Sequence, residues 1–263
     1  MEDRTDSESR RLALNRTGEV KVGGTARALP PVGPAGARGV WRGLWDLVGV
    51  PFRLVLFPDD WNERLGWTSL EQSRIRAVLP EVRGRLLDVG AGRNRLVRSY
   101  GSEGIGVDVH DFGFGARIIQ DSRQLPFPDR SFDTVTFVAC LNHLPYREQA
   151  LREAWRVLRP GGRVVATMIS RWLGELGHRL WWYSEDKHRR VAEGESGGLD
   201  PAEMRQLLAQ NGFTAIRRRR FCCGLNSLYV AEKPGEHAPQ FSLPHAPSAV
   251  AVQDGSTRHA PWH

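Results

Sequence analysis

Cysteine and lysine are scarce in this sequence. Cys140, Cys222 and Cys223 are its cysteines, too few for a disulfide scaffold. The adjacent pair Cys222 and Cys223 would bridge only with strain. A reduced, cytoplasmic setting is the expectation. Met1 to Arg11 is charged and holds no apolar core, so it does not resemble a signal peptide. Long apolar runs are lacking too. Val40 to Phe57 is conspicuously apolar, but Pro51 interrupts its 18 residues and Arg42, Asp46 and Arg53 charge them. That excludes a transmembrane span. Lys21, Lys187 and Lys233 are the lysines, so arginine carries almost all of the positive charge behind the net +7. A basic balance admits a nucleic acid or an anionic membrane as partner. Aromatic and basic residues are not concentrated together, so nucleic acid is the weaker expectation.

What is present suits a folded domain. With 40% apolar and 25% charged residues, the chain is neither collagen-like, nor a coiled coil, nor wholly disordered. At a prior of roughly 150 residues per domain, its 263 residues suggest one large domain or two small ones. Residues 1–39 and 234–263 are rich in charge, glycine and proline and lack periodicity, so both are expected to be disordered tails. The domain then runs over residues 40–233. Trp41, Leu44, Trp45 and Val48 fall on one face of a short helix. In "WTSLEQSRIRAVLP", Thr68 and Glu71 have capping-box spacing and Pro80 stops the helix. From Arg85 the chain alternates strand and helix. "RLLDVG", "GIGVDVH", "ARIIQD", "SFDTVTFVACL" and "GRVVATMI" read as strands. A helix after Pro145 buries Leu151, Ala154, Trp155 and Leu158 and ends at "RPGG". Another runs from Pro201 to about Asn211, before the strands "TAIRRRRF" and "LNSLYVAE". Apolar strands joined by helices indicate a mostly parallel sheet covered on both faces.

"LLDVGAGRNRL" is the most informative stretch. A buried strand delivers Asp88, and Gly90 and Gly92 allow a tight turn and close approach of a ligand. Asp108 follows twenty residues later, at the end of the second strand, where a carboxylate accepts hydrogen bonds from ribose hydroxyls. Asp121 and Ser122 end the third strand. All of these fall at the carboxyl edge of a parallel sheet, where ligands bind. The dinucleotide fingerprint needs a third glycine. Arg95 stands there instead, which disfavours a nicotinamide cofactor.

Asp88, Gly90, Gly92, Asp108, Asp121 and "LPFPDRSFDTV" together resemble the class I S-adenosylmethionine-dependent methyltransferases, in particular the subgroup of ubiquinone and menaquinone C-methyltransferases. The resemblance covers about Arg76 to Lys233. It implies a doubly wound α/β fold, Rossmann-like, with seven strands and an antiparallel strand near the C-terminus. It implies that Gly90 and Gly92 lie against the methionine portion of S-adenosyl-L-methionine. Asp108 would bind the ribose, Asp121 with Ser122 the adenine amino group, and Asp88 would order the turn. Two departures stand out. Asn94 replaces a third glycine, which it can do because asparagine tolerates left-handed backbone. His110 to Arg117 is also too short for a crossover helix, so that helix is expected to be a loop containing Phe112 and Phe114.

His143, in "CLNHLPY", is the candidate general base; the alternative is that it caps a helix or packs beneath the cofactor. The insertion 170–199 carries Trp181, Trp182 and Tyr183, a candidate acceptor wall in the place where relatives carry a substrate lid. No metal-ligand spacing is present. The helical segment 40–80 is read as a lid. Its stretch 40–57 either covers the cofactor or lies in a membrane interface. The expected activity is methyl transfer to a small-molecule or lipid-like acceptor. An RNA methyltransferase and a cofactor-binding scaffold without transferase activity remain rival readings.

Overall fold

The computed structural model describes Pro31, Val32, Trp41, Leu44, Trp45, Val48 and residues 59–169 and 198–236, apart from 102 and 223. Seven strands form one sheet: β1 (Leu86–Val89), β2 (Gly104–Asp108), β3 (Arg117–Ile118), β4 (Phe132–Val138), β5 (Leu158–Ile169), β6 (Thr214–Phe221) and β7 (Asn226–Glu232). Their spatial order is β3-β2-β1-β4-β5-β7-β6. Neighbours from β3 through β5 run parallel, and β7 runs antiparallel to both β5 and β6. Five α-helices have fully described bounds: α1 (Asp59–Arg64), α2 (Leu70–Val78), α3 (Arg95–Tyr100), α4 (Arg147–Val157) and α5 (Pro201–Gln210).

Successive residues of the central strands serve opposite faces. Leu87, Val164 and Tyr229 pack with Leu151 and Ala154 of α4 and Met204 and Leu208 of α5. Leu86, Val165 and Leu228 pack with Ile75 and Val78 of α2 and Leu96 and Val97 of α3. The unbroken apolar runs are therefore strands buried on both sides, and the fold is the expected doubly wound α/β sheet.

Several local expectations need correction. The N-cap of α2 is Ser69 rather than Thr68; its hydroxyl accepts from Gln72 N at 3.0 Å. Thr68 instead accepts from the Arg76 guanidinium at 3.3 Å. The third strand keeps only Arg117 and Ile118, because it lies at the sheet edge and has β2 alone for a partner. The stripe of α4 is Ala150, Leu151, Ala154 and Val157. Trp155 is partly exposed, with the Lys233 ammonium 3.8 Å over its ring. Leu158 and "RPGG" belong to β5, which begins at Leu158 with an irregular register against β4. In the segment read as an arm, Val32 is buried and donates its N–H to Ser99 Oγ at 2.8 Å.

Candidate cofactor site

The carboxyl ends of β1, β2 and β4 meet around the glycine turn. Gly90 and Ala91 both donate to Val107 O, at 2.9 and 3.0 Å, which lays the turn on the end of β2. Gly90 has φ +72°, and a Cβ there would stand 2.8 Å from Cys140 Sγ. Gly92 has φ +49° but open space on that side, with no atom within 4 Å of a Cβ. Asn94 takes the left-handed conformation, φ 53°, and is buried. The glycine at Gly106 was not singled out from the sequence. A Cβ on it would meet Asn94 Oδ1 at 2.1 Å and Ala91 Cβ at 2.8 Å. Its signal was a glycine inside an apolar strand, which marks close backbone approach.

Asp108 is buried and fastens this corner. Its Oδ2 accepts from Gly92 N at 2.8 Å and its Oδ1 from His110 N at 3.0 Å. Asp88, also buried, accepts from the Thr136 hydroxyl on β4 at 2.6 Å. Burial, set against that hydrogen bond and reinforced by the Asp108 carboxylate, pushes its carboxyl up to about 7. Its partner is thus β4 behind the turn. Burial likewise raises the Cys140 thiol, which contacts Val89 O at 2.9 Å.

Asp121 and Ser122 do not end a strand. They sit in a turn beyond Ile118. Asp121 accepts from Arg123 N at 2.8 Å and pairs with the Arg123 guanidinium. That guanidinium lies 4.4 Å over the Tyr146 ring. Residues 109–116 contain no helix; Phe114 takes that place, with Arg98 5.6 Å over its ring and its carbonyl accepting from Asn94 Nδ2 at 3.4 Å. His143 is half-buried in a one-turn helix after β4, with Nε2 3.1 Å from Asn142 Nδ2. Trp181, Trp182 and Tyr183 lie outside the described residues. Trp41, Leu44, Trp45 and Val48 are helical as expected, but their stripe faces outward. Trp41 is 85% exposed and the other three about half. Trp45 donates to Leu65 O at 3.0 Å and its ring lies 5.8 Å from Trp67.

A groove of about 390 Å³ lies between α4 and α5, lined by residues such as Tyr146, Arg152, Leu199 and Glu203. None of Asp88, Gly90, Gly92, Asp108 or His143 lines it, so it is separate from the glycine turn. Among the described residues no helix is long and apolar enough to cross a membrane, and no cluster has the makings of a metal site.

Residues 87–166 match the family model of the methyltransferase domain. The demethylmenaquinone methyltransferase of Paenarthrobacter aurescens is 28% identical over 192 residues, covering 62% of this chain and 75% of that one. The ubiquinone/menaquinone biosynthesis C-methyltransferase UbiE of Pseudomonas fluorescens is 26% identical over 174 residues, 60% of this chain and 63% of its own. In fold, the chain is similar to a Thermotoga maritima structure described as a SAM-dependent methyltransferase, possible histamine N-methyltransferase. The TM-score is 0.50 at 20% identity, covering 62% of this chain and 89% of that one. Sheet order, family model and relatives agree: the chain carries the domain of a class I S-adenosylmethionine-dependent methyltransferase, an enzyme whose cofactor is S-adenosyl-L-methionine.

Proposed function

We propose that the glycine turn and the strand ends beside it hold S-adenosyl-L-methionine, and that the chain methylates a small lipid-like acceptor of the quinone type. Asp108 carries the first half of this reading. A carboxylate has about four acceptor positions, and Gly92 and His110 use two of them. The others are left for two ribose hydroxyls. The open side of Gly92 suits the methionine portion, with Gly90 beneath it. Asp88 stands behind the turn, where a ligand cation would favour its ionised form. Val109, half-exposed and next in sequence to Asp108, offers an apolar surface to the base. Asp121 and Ser122 are assigned to the adenine amino group, with Asp121 sharing its oxygens with Arg123.

The cofactor supplies an electrophilic methyl group on a sulfonium. An acceptor atom has to approach it in line, within about 3–3.5 Å. When that atom is a ring carbon, its proton must leave, and we assign His143 to take it. Trp181, Trp182 and Tyr183 are assigned to the acceptor wall.

The lipid-like acceptor is supported by the relatives, whose names specify demethylmenaquinone, ubiquinone and menaquinone. It is supported independently by the outward stripe Trp41, Leu44, Trp45 and Val48. Tryptophan and aliphatic residues on one exposed helix face suit a membrane interface. No observation favours RNA equally: Arg217 of β6 pairs with Glu81, Arg218 lies over Tyr229 and Arg219 donates to Ala77 O.

Calorimetry with S-adenosylhomocysteine tests the cofactor half. Asp108→Ala removes two charge-assisted hydrogen bonds and is expected to weaken binding about 10- to 100-fold. Unchanged affinity, or tight binding of NADH without S-adenosylmethionine, overturns it. Co-sedimentation with anionic vesicles at low salt, where attraction is least screened, tests the interface. Failure to sediment removes the membrane contact. Radiolabelled methyl appearing in an RNA pool rather than in quinone or lipid pools would reverse the choice of acceptor.

A further inference from the structure

Arg95 opens α3 one residue after the left-handed Asn94, and its side chain is 1% exposed. A buried charge persists only when paired and hydrogen-bonded. Glu63, near the end of α1, meets it with both oxygens: Oε1 accepts from Nη1 at 2.5 Å and Oε2 from Nη2 at 2.9 Å. Glu71, in the first turn of α2, accepts from Nη1 at 2.9 Å. Ser69, the N-cap of α2, donates its hydroxyl to Glu63 Oε1 at 2.7 Å. One guanidinium therefore gathers α1 and α2.

Packing alone does not call for this arrangement. An apolar side chain would fill the same space, and replacing a buried ion cluster with apolar residues is often neutral or stabilising. What the guanidinium adds is direction: a two-pronged pairing with a carboxylate fixes orientation as well as distance. The direction it fixes is that of the chain leaving the glycine turn. Asn94 N donates to Ala91 O at 2.7 Å, and Asn94 O accepts from Arg98 N at 3.1 Å. A rotation of Arg95 is thus carried into the turn whose Gly92 N–H meets Asp108.

We propose that Arg95, held by Glu63 and Glu71, is a positioning residue for S-adenosylmethionine, keeping the Gly92 N–H and the Asp108 carboxylate in register. Helices α1 and α2 are then part of the cofactor site. This rests on the reading of the glycine turn as that site.

The test compares Arg95→Lys, which keeps the charge and loses the fork, with Arg163→Lys in the full chain. Arg163 is the matched control: its side chain is 5% exposed and paired with Glu81 and Glu232, on β5. Three quantities are measured: the calorimetric Kd for S-adenosylhomocysteine, the ligand-free melting temperature, and hydrogen exchange of amides 90–94. Both variants are expected to melt lower. Only Arg95→Lys is expected to bind about tenfold more weakly and to exchange faster in the turn. If Arg95→Lys melts lower yet binds and exchanges as the wild type does, the arginine is structural and the proposal falls. If Arg95→Lys does not fold, Glu71→Gln replaces it; a several-fold loss of affinity is expected, and wild-type affinity overturns the proposal. Asp108→Ala in the same series separates the failures. Weakened binding there with normal binding in the arginine variant sinks this inference alone. Normal binding in both sinks the cofactor reading beneath it.

Discussion

Asp88 shows how far burial can move a single group. A free aspartate titrates near 4, while in the fold its carboxyl is pushed up to about 7, first by burial and further by the Asp108 carboxylate, against the hydrogen bond from Thr136. Between about pH 4 and 7 the folded chain therefore holds a proton that the unfolded chain has released. Stability from this site is full at low pH and falls as pH rises through that window. Asp88→Asn keeps the size and can still accept from Thr136. It should leave the melting temperature near pH 4 almost unchanged and raise it by several degrees at pH 8. A wild-type and variant pair whose melting temperatures stay parallel from pH 4 to 8 would show that Asp88 is not protonated in this window. The same variant should bind S-adenosylhomocysteine less well, since a neutral amide offers a ligand cation no opposite charge.

At the scale of elements, the pairing of the glycine turn with β2 decides the site. Gly92 and Gly106 differ in what they tolerate. Gly92→Ala meets no atom and costs only left-handed strain, roughly 1–2 kcal/mol. Gly106→Ala drives a methyl into Asn94 and Ala91, so turn and strand must part, at about 1–3 kcal/mol or more. Denaturant titration should rank Gly106→Ala as the more destabilising, whereas Gly92→Ala, whose methyl enters the space proposed for the methionine portion, should lose the more cofactor affinity by calorimetry. The reverse order of stability would mean that the turn gives way easily. The contrast also explains what the sequence made legible. Central strands such as "RLLDVG" and "LNSLYVAE" stand out because both faces are buried, and the missing helix after β2 follows from chain length alone. Glycines within a strand pattern reveal their partners only once the neighbouring turn is in place. The third strand lost most of its length because edge position is a property of the sheet order, and Asp121 moved into a turn with it. Trp155 left its stripe because Lys233 came to lie over its ring, a contact between residues far apart in sequence. The two carboxylates on Arg95 were hidden for the same reason.

Across the whole molecule the sheet has two ends, and each is treated differently. At one end β3 is two residues long. At the other, β6 carries Arg217 through Arg220 in succession and an irregular register against β7, with Ala215 at φ 49°. Three of these arginine side chains bond within the domain. Their consequence lies in solubility. An exposed strand edge is a template on which a second chain can add a strand, and short edges, positive side chains and bulges each discourage that. β6 has two of these safeguards and β3 the third. If the enzyme works at a lipid surface, as proposed, crowding there would make edge-to-edge association most dangerous. Replacing Arg217 and Arg220 with Val should leave the chain folded yet raise its light scattering with concentration and time; a variant that stays as dispersed as the parent would show that the bulge suffices. On this view the run of arginines is a guard against aggregation, and its value is measured in shelf life rather than in turnover.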